Sequence, residues 1–383
     1  MKKSIYFLFF SLIFLSISKS YSQVKSDTVY TRALAKYFLD DYNGAINDFN
    51  ILIKQEPNIL PYYIYRGYSY FMLAENENAL KDFNKIIETN PFYIPDFSIL
   101  IPNYYYTRGM INFNLSDYKE AILDFTKAIA IEPENTDAYL VRGNCKSNLK
   151  NYNAAISDFE KVIEIDPKNP KSYYGKARAN INLNNFIVSI ENLNIAIKLN
   201  PKEDIYYSAR SFAKKRLNFK NQAIFDLDTA ILINPNNSKY YDNRAAIYTL
   251  LEKYNEAILD YNKSIKLNQS TAETFYFRSN AYSHINNFDL AIIDMTSAIK
   301  LNPNIPNYYL NRGQLLFKLK DFDNSILDFT KAIFLNPSYT EAYYDRGRTR
   351  IAQGKISLAC IDLVKSKDLG HPQAFELLNI YCK

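Results

Sequence analysis

Tryptophan is absent from this chain of 383 residues, histidine occurs twice, cysteine three times and glycine nine times. Few glycines argue against a turn-dense β fold. His284 and His371 have no Cys, Asp or Glu at metal-ligand spacing, so no zinc motif is present. There is no phosphate loop, nucleophile elbow or dinucleotide fingerprint either. No catalytic residue, metal or cofactor is therefore expected, and the chain reads as a non-enzyme. An excess of positive charge is also lacking. The net charge is +6, of which Lys2, Lys3 and Lys19 supply three, leaving about +3 beyond the first 22 residues. Nucleic acid demands a clustered basic face, so none is expected as a partner.

Long apolar runs are missing after the first 22 residues. Those residues read as a signal peptide, 1–22. Lys2 and Lys3 precede an apolar run from Ile5 to Ile17, and Ser20-Tyr21-Ser22 supplies the small-residue cleavage pattern. A retained membrane anchor is the alternative, although the run is short for a span of about 20 residues. Export, to a periplasmic or secreted location, is the expectation.

What the chain has in abundance is tyrosine, 34 of them, and a period. Prolines stand at 57, 91, 133, 167, 201, 235, 303 and 337. Their spacing is 34 except where Gln269 replaces one, and where an eight-residue insertion near 94–101 separates Pro91 from Pro133. His371 falls one period beyond Pro337. Ten units follow: 26–59, 60–93, 102–135, 136–169, 170–203, 204–237, 238–271, 272–305, 306–339 and 340–373. Each holds two helix-length segments. In 154–165, Ala155, Ile156, Phe159, Val162 and Ile163 make one apolar helical stripe, and Asp166-Pro167 ends it.

Small residues recur in two columns. Ala45, Ala79, Ala121, Ala155, Ala223, Ala257, Ala291 and Ala359 occupy one, with Ser189 and Ser325. Gly67, Gly109, Gly143, Gly313 and Gly347 occupy another, with Ala177, Ser211, Ala245 and Ser279. A helical glycine costs about 1 kcal/mol against alanine, so its recurrence predicts tight helix–helix contact. An aromatic, a small residue four on, then Ala, a large apolar residue and Pro, repeating every 34 residues over 26–373, resemble the tetratricopeptide (TPR) repeat. The usual first-helix tryptophan is replaced by Tyr63, Tyr105, Tyr139, Tyr173, Tyr207, Tyr241, Phe275, Tyr309 and Tyr343. The resemblance implies an all-α, right-handed superhelical solenoid of antiparallel helix pairs with a concave inner face. It also implies protein or peptide binding without chemistry. Residues 374–383 would form a capping helix, with Ala374, Leu377, Leu378 and Tyr381 covering the last repeat.

An arginine column precedes an aspartate column by sixteen residues: Arg142 with Asp158, Arg244 with Asp260, Arg312 with Asp328, and likewise in every unit but one. Unit 170–203 has Lys176 and Asn192 instead. Both exceptions fall in the same unit, so contact within a unit is expected, with Lys176–Asn192 as a weaker version. A bidentate, half-buried structural pair suits these residue types.

If the first helices line the concave face, its candidate residues are aromatic early (Tyr68, Phe71, Tyr106, Met110 and Phe113). They are basic in the middle (Tyr174, Arg178, Lys215 and Arg216), then mixed polar (Asp242, Asn280, Gln314 and Arg348). The aromatics would serve as core or as partner anchors. The apolar insertion 94–101 is expected to be buried in the groove or in a partner. Cys360 and Cys382 each lie eleven residues from His371, on opposite sides of a turn, which would set them level in a helix pair. A disulfide and two separate thiols are both open readings. The expected function is an exported scaffold that binds a peptide or partner protein. A carbohydrate or cell-wall binder using its tyrosine-rich surface is the alternative.

Overall fold

The computed structural model describes residues 28–89, 101–267 and 271–382. The leader 1–22, Gln269 and all but the last residue of the insertion lie outside them; Ile101 opens a helix. Among the described residues there are 21 helices and no strand. They fall into two compact units, one ending at Asn200 and the other starting at Pro201. The N-terminal unit holds α1 (Thr28–Phe38), α2 (Tyr42–Gln55), α3 (Leu60–Met72), α4 (Asn76–Glu88), α5 (Ile101–Asn114), α6 (Tyr118–Ile131), α7 (Thr136–Asn148), α8 (Tyr152–Ile165), α9 (Pro170–Asn182) and α10 (Phe186–Leu199). The C-terminal unit holds α11 (Asp204–Arg216), α12 (Lys220–Ile233), α13 (Ser238–Leu250), α14 (Tyr254–Lys266), α15 (Ala272–His284), α16 (Phe288–Leu301), α17 (Pro306–Lys318), α18 (Phe322–Leu335), α19 (Thr340–Ala352), α20 (Ile356–Asp368) and α21 (Ala374–Tyr381). Odd and even helices pair in sequence order, giving ten repeats and a final helix.

The proline period sets the second-helix ends. Asp166, before Pro167, caps α8 at φ −129° and ψ 87°, extended backbone forced by the proline ring. The break inside each pair is less visible in sequence. It passes through a left-handed residue in every repeat: Asp40, Ala74, Ser116, Lys150, Asn184, Asn218, Glu252, Asn286, Lys320 and Gly354. Only the last is glycine, the residue that adopts this conformation without strain.

The small columns let paired helices touch. A Cβ on Gly143 would stand 2.8 Å from the ring of Phe159, and one on Gly313 would stand 2.7 Å from that of Phe329. Where the ring gives way to Leu193, Leu227 or Met295, the residue sixteen positions earlier is Ala177, Ser211 or Ser279, whereas Leu363 keeps a glycine, Gly347. The aromatic and alanine columns of the second helices are completely buried, as Phe83, Phe125, Phe159, Ala121 and Ala155 show. Burying a side chain of this size contributes about 1.5–3 kcal/mol.

In α21, Ala374 is buried and Leu377 and Leu378 are half-buried, but Tyr381 is exposed. Tyr381 therefore does not cover the last repeat as the sequence spacing suggested. The helix ends at Tyr381, and the next residue, Cys382, is joined to Cys360 by a disulfide with Cα atoms 5.7 Å apart. The remaining cysteine, Cys145, is completely buried, and burial pushes its thiol pKa up to about 12.

Candidate binding surfaces

The arginine–aspartate columns must be placed first, because they carry most of the charge inside the repeats. In nine repeats the arginine Nε lies 2.7–3.0 Å from one carboxylate oxygen of the aspartate sixteen residues on. Its Nη2 lies 2.6–2.8 Å from the other. These bidentate forks join the two helices of one repeat. All nine aspartates are at most 6% exposed. Burial pushes the Asp82 and Asp260 carboxyls above their ordinary pKa, against the pull of Arg66 and Arg244. Asp48 goes the other way, held down chiefly by its hydrogen bond from Arg32. Four of the aspartates hold a second cation: Lys36 on Asp48, Lys146 on Asp158, Lys214 on Asp226 and Arg350 on Asp362.

The third donor of the fork does something the sequence pattern did not disclose. Arg Nη1 reaches back to the second helix of the preceding repeat. Arg66 donates to Asn50 at 2.7 Å, Arg108 to Asn84 at 2.8 Å, and Arg142 to Thr126 at 3.0 Å. In the C-terminal unit Arg244 meets Asp228, Arg278 meets Asn262, Arg312 meets Thr296, and Arg346 meets Thr330. One side chain thus fixes the helices within a repeat and the joint between repeats.

The exceptional repeat departs from expectation. Lys176 and Asn192 do not form a weak copy of the pair. Lys176 Nζ lies 2.8 Å from Glu160 of the preceding repeat, and Asn192 donates to the carbonyl of Val188 in its own helix at 2.7 Å. A lysine has no fork, so it keeps one of the two roles. Glu160 occupies the position that is Asn, Thr or Asp elsewhere, and it turns the inter-repeat bond into an ion pair.

The tyrosines in place of tryptophan also have a structural task. The guanidinium groups of Arg66, Arg142, Arg244 and Arg346 lie 5.3–5.9 Å from the rings of Tyr63, Tyr139, Tyr241 and Tyr343. Six of the tyrosines donate their hydroxyl to the carbonyl of the proline six residues earlier, as Tyr63 does to Pro57 at 2.8 Å and Tyr309 to Pro303 at 3.1 Å. Phe275 has no hydroxyl, and six residues before it stands Gln269 rather than proline.

Of the first-helix residues picked out by sequence, the early aromatics are half-buried and pack against the core. Tyr68 and Phe71 pack on the cluster around Phe83, and Tyr106, Met110 and Phe113 on the cluster around Phe125. Tyr68 meets Phe83 edge-on at 5.1 Å, and Tyr106 meets Phe125 at 5.7 Å. In the N-terminal unit the exposed Arg178 lies over Tyr174 at 5.7 Å. In the C-terminal unit Lys215 lies over Phe212 at 5.5 Å, and burial lowers its pKa. Arg216, its neighbour, is exposed.

In the C-terminal unit, polar side chains of the first helices and Tyr339 form two hydrogen-bonded groups. Asn307 Nδ2 donates to Tyr276 Oη at 3.0 Å, and Tyr339 Oη donates to Asn307 Oδ1 at 3.0 Å. Gln314 donates to one oxygen of Asp345 at 2.7 Å, and Arg348 to the other at 3.1 Å. Asp345 is 8% exposed, and burial raises its pKa. The Arg348 guanidinium lies 5.1 Å from the Phe317 ring and 5.6 Å from that of Tyr344. His371 stacks on Tyr344 at 3.9 Å. Gln314, Phe317, Lys318, Asp345, Arg348 and Thr349 surround a cavity of about 230 Å³. It offers an aromatic floor, a held cation and a lysine. Nothing in it forms a nucleophile–base pair, and among the described residues no three His, Cys, Asp or Glu side chains cluster as a metal site. No described helix is long and apolar enough to cross a membrane.

A family model described as tetratricopeptide repeat matches residues 102–135, 136–169 and 306–339. A second model of the same description matches 238–271 and 272–305. These bounds coincide with the units set by the proline period. No curated protein matches the chain. Solved structures that resemble it include a tetratricopeptide repeat protein from Parabacteroides merdae, 17% identical at a TM-score of 0.53, covering 63% of this chain and 93% of that one. Another is the C-terminal part of a TPR repeat-containing protein from Cytophaga hutchinsonii, 20% identical at a TM-score of 0.52, covering 65% and 98%. YrrB, described as a TPR protein with an unusual peptide-binding site, aligns at 21% identity and a TM-score of 0.46, covering 50% and 99%. Ten helix pairs, the 34-residue columns and the matched repeats together make this chain a member of the tetratricopeptide repeat family.

Proposed function

We propose that this protein is an exported, non-enzymatic scaffold that binds an extended peptide or a partner protein along its first helices. The leader supports export, and a Cys360–Cys382 disulfide fits an oxidising compartment. The binding role rests chiefly on the cavity at Arg348. That arginine is held between Phe317 and Tyr344 and fixed by Asp345, so it is presented with little freedom left to lose. A held arginine beside aromatic rings is the residue chemistry of interaction hot spots. Lys318 adds a second cation, so a segment with a carboxylate next to an apolar side chain suits the site. Tyr174 and Arg178 in the N-terminal unit, and Lys215 and Arg216 in the C-terminal unit, are further contact candidates. Tyr68, Phe71, Tyr106, Met110 and Phe113 would act on binding mainly through core stability.

The experiment is a pull-down from the envelope fraction read by mass spectrometry, followed by affinity measurement with the captured partner. Arg348→Ala is expected to weaken binding by about tenfold or more, the size of a hot-spot loss, measured well below its melting temperature because the variant also removes the cation beside the buried Asp345. Unaltered affinity in both Arg348→Ala and Phe317→Ala would place the partner elsewhere and contradict this reading.

A further inference from the structure

A second surface lies on the second helices of the C-terminal unit, away from the first-helix face. Phe225, Leu259, Ile293, Leu327 and Ile361 occur once per repeat, 34 residues apart, in α12, α14, α16, α18 and α20. Each is 59–69% exposed. Each sits two residues after a buried small residue and two before a buried large one, as Leu259 sits between Ala257 and Tyr261. Two residues are about 200° of helix, so these side chains point directly away from the core. Leu232 and Phe334, seven residues after two of them, lie on the same face and are 83% and 74% exposed.

The fold does not require this row. The same position in the N-terminal unit carries Asn47, Lys81, Leu123, Ser157 and Glu191. Five large apolar residues in five consecutive repeats, all facing water, form a patch of the kind that monomers rarely leave open.

The charges flanking the row say what would cover it. In α14, Glu256 lies three residues before Leu259 and Lys263 four residues after it. In α18, Asp323 lies four before Leu327 and Lys331 four after. Acids at helix starts and lysines at helix ends are what the helix dipole favours by itself. What the dipole does not supply is an apolar residue between the two edges, three or four residues from each charge. If a copy of the same face is laid on this one with a two-fold axis along the row, each second helix meets its equivalent antiparallel. Leucine then meets leucine, and Glu256 and Asp323 of one copy face Lys263 and Lys331 of the other. The surface is complementary to itself, as an isologous interface must be.

We propose that the outer face of the second helices of the C-terminal unit pairs two copies of this chain, with Ile293 at the middle of the row that lies along the two-fold axis. The test is analytical ultracentrifugation of the full exported protein over a concentration series. The expected result is a monomer–dimer equilibrium. Ile293→Lys and Leu327→Lys, each checked for an unchanged helical spectrum, should weaken it about a hundredfold or more, because each buries an unpaired charge twice. Leu123→Lys, a similarly exposed residue of the N-terminal unit, should leave it unaltered. Glu256→Lys and Lys263→Glu should each weaken the dimer about tenfold, and the two together in one chain should restore it. A protein that stays monomeric up to about 100 μM overturns the proposal, since a standard-size interface of about 800 Å² per partner would be populated well below that. So does a dimer indifferent to both lysine substitutions. Binding of the monomer to phosphatidylglycerol vesicles, lost in Ile293→Lys, would assign the row to a lipid surface and overturn it equally.

Discussion

The N-terminal and C-terminal units are built on one framework and finished differently. Both contain the Arg–Asp fork, the tyrosine over the arginine, the small residue under the ring and the left-handed residue within each helix pair. On the first helices, the N-terminal unit packs Tyr68, Tyr106 and Phe113 half-buried against its core, whereas the C-terminal unit presents two hydrogen-bonded polar groups, one with Tyr276 and Asn307 and one with Gln314 and Arg348. On the second helices, one position is mostly polar in the first unit and apolar throughout the second. Columns common to both units answer to folding, because every repeat faces the same packing problem. Columns that differ between the units are released from that problem, and partner identity has room to be written there.

The comparison can be sharpened by breaking the framework where it is least and most supported. Asp294 has Arg278 as its cation, whereas Asp158 has both Arg142 and Lys146. Arg278→Ala should therefore cost about 3 kcal/mol or more, by stranding a buried carboxylate. Arg142→Ala should cost distinctly less, since Lys146 stays 2.7 Å from the Asp158 carboxylate. Urea unfolding, with amide exchange to report which repeats open first, measures both. Equal losses would mean that the second cation contributes nothing. A smaller effect is expected at the left-handed residues. Gly354→Ala should lose about 1 kcal/mol and Ala74→Gly should gain a similar amount, because a Cβ at positive φ is strained by about that much. Thermal melts that moved in the same direction for both would contradict this.

Much of this architecture could be read directly from the sequence, because ten copies make each column its own control. Repeat bounds, the fork within a repeat and the close helix–helix approach at the glycine column were all visible. The back-reach of Arg Nη1 was not, since its acceptors are Asn50, Asn84, Thr126, Asp228, Asn262, Thr296 and Thr330, a mixed set of short polar residues resembling an ordinary solvated face. The same blindness hid Glu160 as the partner of Lys176. The left-handed turns were hidden because five of the ten, Ala74, Ser116, Lys150, Glu252 and Lys320, carry residue types that do not favour that conformation. The early aromatics were ambiguous for a geometric reason: a ring on a first helix can reach sideways into the core from a position that also borders the inner face. Tyr381 misled because a half-turn at a chain end decides whether a side chain covers a core or leaves it.

Repeat 170–203 offers the most direct test of the central claim, that one arginine must both fork its own aspartate and hold the preceding repeat. Lys176→Arg and Asn192→Asp, made singly and together, form a double-mutant cycle on a natural gap in the column. Asn192→Asp alone should destabilise the protein, because the new carboxylate would be buried beside a lysine already committed to Glu160. In the double variant, the introduced guanidinium should close its fork on the introduced carboxylate while its third donor keeps Glu160. Urea unfolding should then show a favourable coupling of about 2 kcal/mol. Additive effects, with no recovery in the double variant, would contradict the account.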